Sequence, residues 1–356
     1  MTHPPSTVEL GLTGNEASDL LPVRSPELLA AYGARRACWT VLDEGPVEQS
    51  LALLVQGYDG GWSTHHVPMD AGEENGRTDD AEALARDGEW VYVVGSHFGS
   101  KAGPLRPRRA FVARFREPEA VAARPRLQVV RNQFRLHRAV NDALPRAGIV
   151  PLPGGALIRH RFITATVDRG TARAKSWVSR LAAEDLPVNV EAAAFTPAGT
   201  LLLGLRFPVT ARGEPILVEV CDLAEMFDRR GWPRVVGAYA LTGVTAEGEL
   251  TGFRALSARG DGSYDAVIGS IDALDKGSVL LDDHPSGGDV ACRHVRFGQP
   301  EGPGRPMTPG VLVADLAPLR NVEGLTELEG TRYYVTDEEH RVALRIVEGG
   351  AADAGS

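Results

Sequence analysis

Cysteine is scarce. Cys38, Cys221 and Cys292 are the three in the chain, an odd number without metal-ligand spacing. That argues against a disulfide framework and predicts reduced, mostly buried thiols. No stretch is long and apolar enough to cross a membrane. The opening Met-Thr-His-Pro-Pro has neither a basic n-region nor an apolar h-region, so the expectation is an unexported, cytoplasmic protein without a membrane partner. Basic excess is missing too. The net charge is −9 and the densest basic run is only Arg106-Pro-Arg108-Arg109, which argues against nucleic acid as a partner. Several catalytic signatures are absent: no Gly-x-Ser-x-Gly elbow, no phosphate-binding Gly-rich loop, no dinucleotide fingerprint. Ser96 and His97 are adjacent, but neighbours on a strand point to opposite faces, so they make a poor dyad.

Glycine and proline, by contrast, are plentiful. Gly 40 and Pro 24 in 356 residues favour many turns and short strands over long helices. The turns sit inside a repeated phrase. Asp80-Ala-Glu82-Ala-Leu84-Ala is followed by Asp87-Gly88, then by Trp90-Val-Tyr92-Val-Val94 and Gly95-Ser96-His97. Asp-Gly between two apolar runs is a hairpin signal. The phrase recurs from Asp19, from Glu191, from Arg254 and from Glu323, so its markers stand 63, 109, 63 and 69 residues apart.

Units of about four short strands at such a period predict an all-β propeller. Five units are visible over residues 1–348, and the long gap has room for a sixth blade. Gln133 to Leu144, stopped by Pro145, has helical spacing and predicts an inserted helix near 133–145. Ala156 to Val167 is strand-like and keeps the sixth blade open. Val8 to Leu12 is predicted to complete the last blade and close the ring, and 349–356 to be a disordered tail.

Three pieces of this chain resemble a bacterial domain-of-unknown-function family, number 3616. They are Asp80-Ala-Glu82-Ala-Leu84-Ala with Gly95-Ser96-His97; Asn189-Val190-Glu191-Ala with Gly204-Leu205-Arg206-Phe-Pro208; and Ser18-Asp19-Leu20 with Trp39-Thr-Val-Leu-Asp43-Glu44. The chain departs from the family at Ala83 and Ala192, where glycine is usual, and at Ala255, where an acid is usual. The resemblance implies a propeller and no established activity. The openings resemble, more distantly, gluconolactonase-like and esterase-like phytase propellers, which implies a divalent ion in the channel.

Chemistry is expected where hairpin geometry gathers polar residues. The first strand's start and the second strand's end share one edge, so the markers should meet at one mouth of the channel. The strand starts give Asp19, Glu82, Glu191, Arg254 and Glu323. The strand ends give Asp43 and Glu44, Ser96 and His97, Arg206, Ser270 and Asp272, and Asp337 and Glu338. One reading makes Asp19, Glu82, Glu191 and Glu323 oxygen ligands of a divalent cation, calcium above all. Glu82, Glu191 and His97 are then the catalytic candidates, and Ser96, Arg109, Arg206 and Arg254 the substrate contacts, in a metal-assisted hydrolase of the lactone or phosphoester type. A second reading pairs the acids with Arg206 and Arg254 in a structural ion network. A third makes the mouth a scaffold that binds a small polar ligand or a protein without turnover. Against all three stands the plainer use of such acids, which is to hold neighbouring blades through backbone N–H groups.

Overall fold

The computed structural model describes residues 6–10, 17–42, 45–274, 277–302, 304–338 and 341–348. Five four-stranded antiparallel units follow one another along the chain. Blade 1 is Ala17–Pro22, Ala34–Leu42, Leu51–Gly57 and Trp62–His66. Blade 2 is Ala81–Asp87, Trp90–Gly95, Phe111–Arg116 and Gln128–Arg131. Blade 3 is Asn189–Phe195, Leu201–Phe207, Ile216–Cys221 and Arg234–Thr242. Blade 4 is Thr251–Ala258, Tyr264–Ser270, Arg293–Phe297 and Met307–Asp315. Blade 5 is Val322–Leu328, Thr331–Glu338 and Arg341–Glu348, with Ser6–Leu10 as its fourth strand. The chain's first described strand thus pairs with its last, Val8 opposite Leu344, and the ring closes as the N-terminal alternation predicts. The first strand of each blade is innermost, and each packs against the first strand of the next around the axis.

Alternation explains why the strands read as apolar on both faces. Val91 and Val93 pack into the cluster between blades 1 and 2, with Trp39 and Phe115. Tyr92 and Val94 turn the other way, into the cluster shared with blade 3. Comparable clusters lie between blades 3 and 4, 4 and 5, and 5 and 1. Each blade is therefore a filling between two interfaces, and side chains of a single strand serve both. Cys38 and Cys292 are buried in two of them and Cys221 is half-buried. Burial pushes the Cys38 thiol up to about 12.

The long gap between markers is an insertion, not a blade. The helix Arg135–Arg146 buries Leu136, Val140, Ala143 and Leu144, and it carries Pro145 inside its last turn rather than stopping before it. The strand-like run from Ala156 corrects to helix: residues 156–171 are helical. Its large apolar residues fall on one helical face, since Ile158, Phe162 and Ile163 are all buried. With Phe98, Leu105, Phe207, Ile271 and Leu280 they form an apolar cap on one side of the ring. No helix among the described residues is long and apolar enough to cross a membrane. The predicted tail, 349–356, lies outside the described residues.

Candidate functional site

Every innermost strand breaks its ladder at the marker residue. In blade 2, Ala81 faces Gly95 and Ala83 faces Val94, which leaves Glu82 without an opposite number. Glu191, Arg254 and Glu323 are skipped in the same way in blades 3, 4 and 5. In blade 1, Asp19 and Leu20 together oppose Thr40. A β-bulge bends the strand and re-aims the extra side chain. Small neighbours make room for it. A Cβ on Gly324 would lie 2.7 Å from the Asp19 backbone. One on Gly252 would lie 2.2 Å from the Arg206 carbonyl oxygen, so blades 3 and 4 approach there as only glycine allows.

Four of the five markers converge. Glu82, Glu191, Arg254 and Glu323 line one cavity of about 620 Å³ at this mouth, together with Arg109 and Arg206. Glu191 Oε1 accepts from Arg206 Nη1 at 3.2 Å and from Asn189 Nδ2 at 2.8 Å. Burial opposes the Arg206 charge, but Glu191, Asp272 and Glu82 outweigh it and raise its pKa. Arg254 is bonded to Glu323 and donates Nε to the Val322 carbonyl at 3.3 Å. Ser18 Oγ donates to Glu82 Oε2 at 3.2 Å.

Three predicted residues stand outside that lining. Asp19, with a left-handed φ of 60°, is buried between blades. Its oxygens accept the N–H of Leu20 at 2.7 Å and of Leu84 in blade 2 at 2.6 Å. Burial raises its pKa well above the carboxylate range. This marker holds blade to blade. His97 is wholly buried. Its Nδ1 donates to the Gly95 carbonyl at 2.7 Å, and its Nε2 accepts from Asn132 at 2.6 Å. Burial lowers its pKa to about 4, so the ring is neutral and fully employed. Ser96 is buried behind the wall, bonded to Asp80. Asp43, Glu44 and the side chains of Asp337 and Glu338 lie outside the described residues.

The divalent-cation reading can be tested on the donors. Asp19 is committed to two backbone N–H groups, Glu191 to Arg206 and Glu323 to Arg254. Among the described residues no three His, Cys, Asp or Glu side chains assemble as a metal-holding group. The cavity is lined by Asp80, Glu82, Glu191, Asp272 and Glu323 and equally by Lys101, Arg109, Arg206, Arg254 and Arg320. A hard cation needs an excess of oxygen donors, and Glu191, Glu323 and Asp80 are already paired with Arg206, Arg254 and Arg109, and Asp272 with Lys101. The residues do not fit such an ion.

Residues beyond the markers complete the wall. Asp80, at a left-handed φ of 68°, binds Ser96 and takes a 2.7 Å ion pair from Arg109 Nη1. Burial pushes its carboxyl up to about 6; Arg109 and Ser96 pull it down, and Glu191 pushes it further up. Asn189 Oδ1 and Glu323 Oε2 are buried acceptors with no hydrogen-bond partner among the described residues. A repeat signal marks these positions. Asp80, Asn189 and Asn321 each stand two residues before a marker glutamate, and all three line the cavity.

No family model and no curated protein matches the chain. Among solved structures it is similar to a mannose phosphorylase from Leishmania mexicana in complex with phosphate ion, at 10% identity over 98% of this chain and 89% of that one, TM-score 0.45. A luciferin-regenerating enzyme matches at 10% identity over 98% of both chains, TM-score 0.42. A β-1,3-galactosidase with galactodeoxynojirimycin matches at 8% identity over 96% of this chain and 94% of that one, TM-score 0.45. At these identities and TM-scores the likenesses say nothing of this chain's chemistry.

Proposed function

We propose that the chain is a hydrolase of small, uncharged, hydroxyl-bearing substrates of the lactone type, with Asp80 moving the proton. The geometry that carries this is the Asp80 carboxyl on the cavity wall, ion-paired to Arg109 and bonded to Ser96, where burial pushes its pKa up to about 6. A general base or acid works best when its pKa lies near the working pH. Ionised Asp80 takes a proton from the attacking water as its oxygen bonds to the acyl carbon. The ring C–O bond then breaks, and Asp80 returns the proton to the departing oxygen.

Charge and hydrogen bonding favour an uncharged substrate. Each cation at the mouth already has an acid: Arg206 has Glu191, Arg254 has Glu323, Arg109 has Asp80, Lys101 has Asp272 and Arg320 has Asp289. A phosphoester would have to break one of these pairs. The orphaned atoms, Asn189 Oδ1 and Glu323 Oε2, are both acceptors and call for donors such as hydroxyls. The same pairing of Glu191 and Glu323 with arginine favours a second reading, a mouth that binds without turnover.

Hydrolysis assays over a panel of sugar lactones, aryl esters and phosphoesters separate the two. Wild-type turnover of a lactone, reduced about 10²–10⁴-fold in Asp80→Asn with binding retained, supports the hydrolase. Lactone binding with no turnover, or turnover unchanged in Asp80→Asn, sinks it.

A further inference from the structure

The outer edges of the blades are not treated alike. Where blades 3 and 4 meet, Ala240, Leu241 and Thr242 pair in parallel with Met307, Thr308 and Pro309, so both edges are covered. Among the described residues the outermost strand of blade 2, Gln128–Arg131, pairs only with Phe111–Arg116. Just before it Asp70 covers the same edge, accepting the Leu127 N–H and donating its own to the Pro125 carbonyl, both at 2.9 Å. Asn132 donates its N–H to the Ala110 carbonyl, and antiparallel alternation makes residues of that parity bond inward. The backbone N–H and C=O groups of Val129 and Arg131 therefore face away from the blade. An open edge of this kind is a template for another strand.

That edge is one bank of a groove of about 1160 Å³. The other bank carries Arg229 and Trp232. Trp232 is 41% exposed, yet Arg135 stacks 4.1 Å above its ring and holds it in place. Arg124, Arg126 and Arg229 line the groove without a close ion pair among the described residues, whereas Arg131 is bound by Glu74 and Arg230 by Asp228. The acids Asp70, Glu73 and Glu74 share the lining, with Asp70 near enough to Arg124 and Arg126 to feel their charge. Five arginines against three acids in one groove run against the chain's net charge of −9.

We infer that this groove takes an acidic, extended peptide segment of a partner protein as an added strand. Its main chain bonds to Val129 and Arg131, its carboxylates meet Arg126 and Arg229, and an apolar side chain rests on Trp232. A peptide fits better than nucleic acid, because the open edge offers main-chain partners at strand spacing and the net charge repels a long polyanion.

Fluorescence anisotropy with a labelled peptide of alternating Glu and Val tests this. The controls are a Lys and Val repeat of equal length and an oligothymidylate. Val129→Pro removes one outward N–H and leaves the inward ladder intact, as an edge strand tolerates. Arg126→Glu with Arg229→Glu reverses the charge. The acidic peptide should bind the wild type, weaken with salt, and lose tenfold or more in affinity in either variant. Methylating alternate peptide nitrogens should weaken it similarly, which keeps the test sound if Val129→Pro does not fold. Equal binding of the basic peptide or the oligothymidylate, no binding of the acidic peptide, or insensitivity to peptide methylation would overturn the inference.

Discussion

The two mouths of the channel are made by opposite ends of the same five strands, and they differ in kind. The wide mouth is ringed by Glu82, Glu191, Arg254 and Glu323 and encloses about 620 Å³. The narrow one encloses about 430 Å³ and is lined by Leu21, Pro22, Phe195, Leu256 and Leu325. Two of its arginines are clamped at the rim: Arg86 by Glu117, with contacts of 2.5 and 3.0 Å, and Arg259 by Asp265 at 2.7 Å. The difference starts at the bulges. Strand pairing is regular toward the narrow mouth and broken by one residue at the wide one, and the extra residue is polar each time. Alternation alone builds a wall; an interruption placed identically in successive repeats builds a site.

That contrast can be broken first at the narrow mouth. Glu117 accepts from Trp39 Nε1 at 2.9 Å and from the N–H groups of Arg24 and Ser25 at 3.0 and 2.8 Å, besides Arg86. Glu117→Ala leaves a buried guanidinium and three donors unmet, and should lower stability by about 3–5 kcal/mol. Denaturant titration reads this, and ligand binding at the wide mouth should survive in the folded fraction. The matching cut at the wide mouth is Arg254→Ala, which strands Glu323. It should cost a similar or slightly smaller amount, because Glu323 borders the open cavity, and it should also remove ligand binding. Replacing both, Arg254→Met with Glu323→Leu, should recover most of the stability and none of the binding. Recovery of both would mean the pair is structural only.

A smaller effect is expected from pH. Asp80 keeps its proton to about 6 in the fold, against roughly 3.9 in an unfolded chain. The native state then holds more protons between those values, so this carboxyl's contribution to stability falls as pH rises from about 4 to 6. His97 acts in the opposite sense. Its folded pKa of about 4 lies below the unfolded value near 6.5, so its contribution is lost as pH falls through that window. Stability curves of Asp80→Asn and wild type should diverge between about pH 4 and 6, with the variant gaining on the wild type as pH rises. Parallel curves would place the Asp80 carboxyl in the ordinary range.

Much of this was legible because it is periodic. The repeated hairpin phrase fixes five units, and the alternation at Val8 foretells the closing strand. The markers Glu82, Glu191, Arg254 and Glu323 could be gathered at one mouth from hairpin geometry alone. What periodicity does not carry is the direction of a side chain once a bulge intervenes. Asp19 occupies the same repeat position as Glu82 but shares its bulge with Leu20 and turns toward Leu84. His97 follows a strand end and looks exposed among small residues, yet its left-handed backbone, at a φ of 61°, turns the ring inward to Asn132. The run from Ala156 has strand composition, but Ile158, Phe162 and Thr166 are spaced for a helix that packs on the ring. Asp80 was masked by its more regular neighbour Glu82: its pKa is raised first by burial, and the groups that then tune it, Arg109 and Ser96 downward and Glu191 upward, are distant in sequence.

The most direct measurement is the melting temperature of wild type and Asn189→Leu against uncharged sugars and sugar lactones, each beside its phosphorylated counterpart. A ligand at a hundredfold excess over Kd stabilises the native state by about 2.7 kcal/mol. The account predicts a rise with at least one uncharged compound, no rise with its phosphate, and loss of the rise in Asn189→Leu. A larger rise with the phosphate, or one that Asn189→Leu leaves intact, would contradict it.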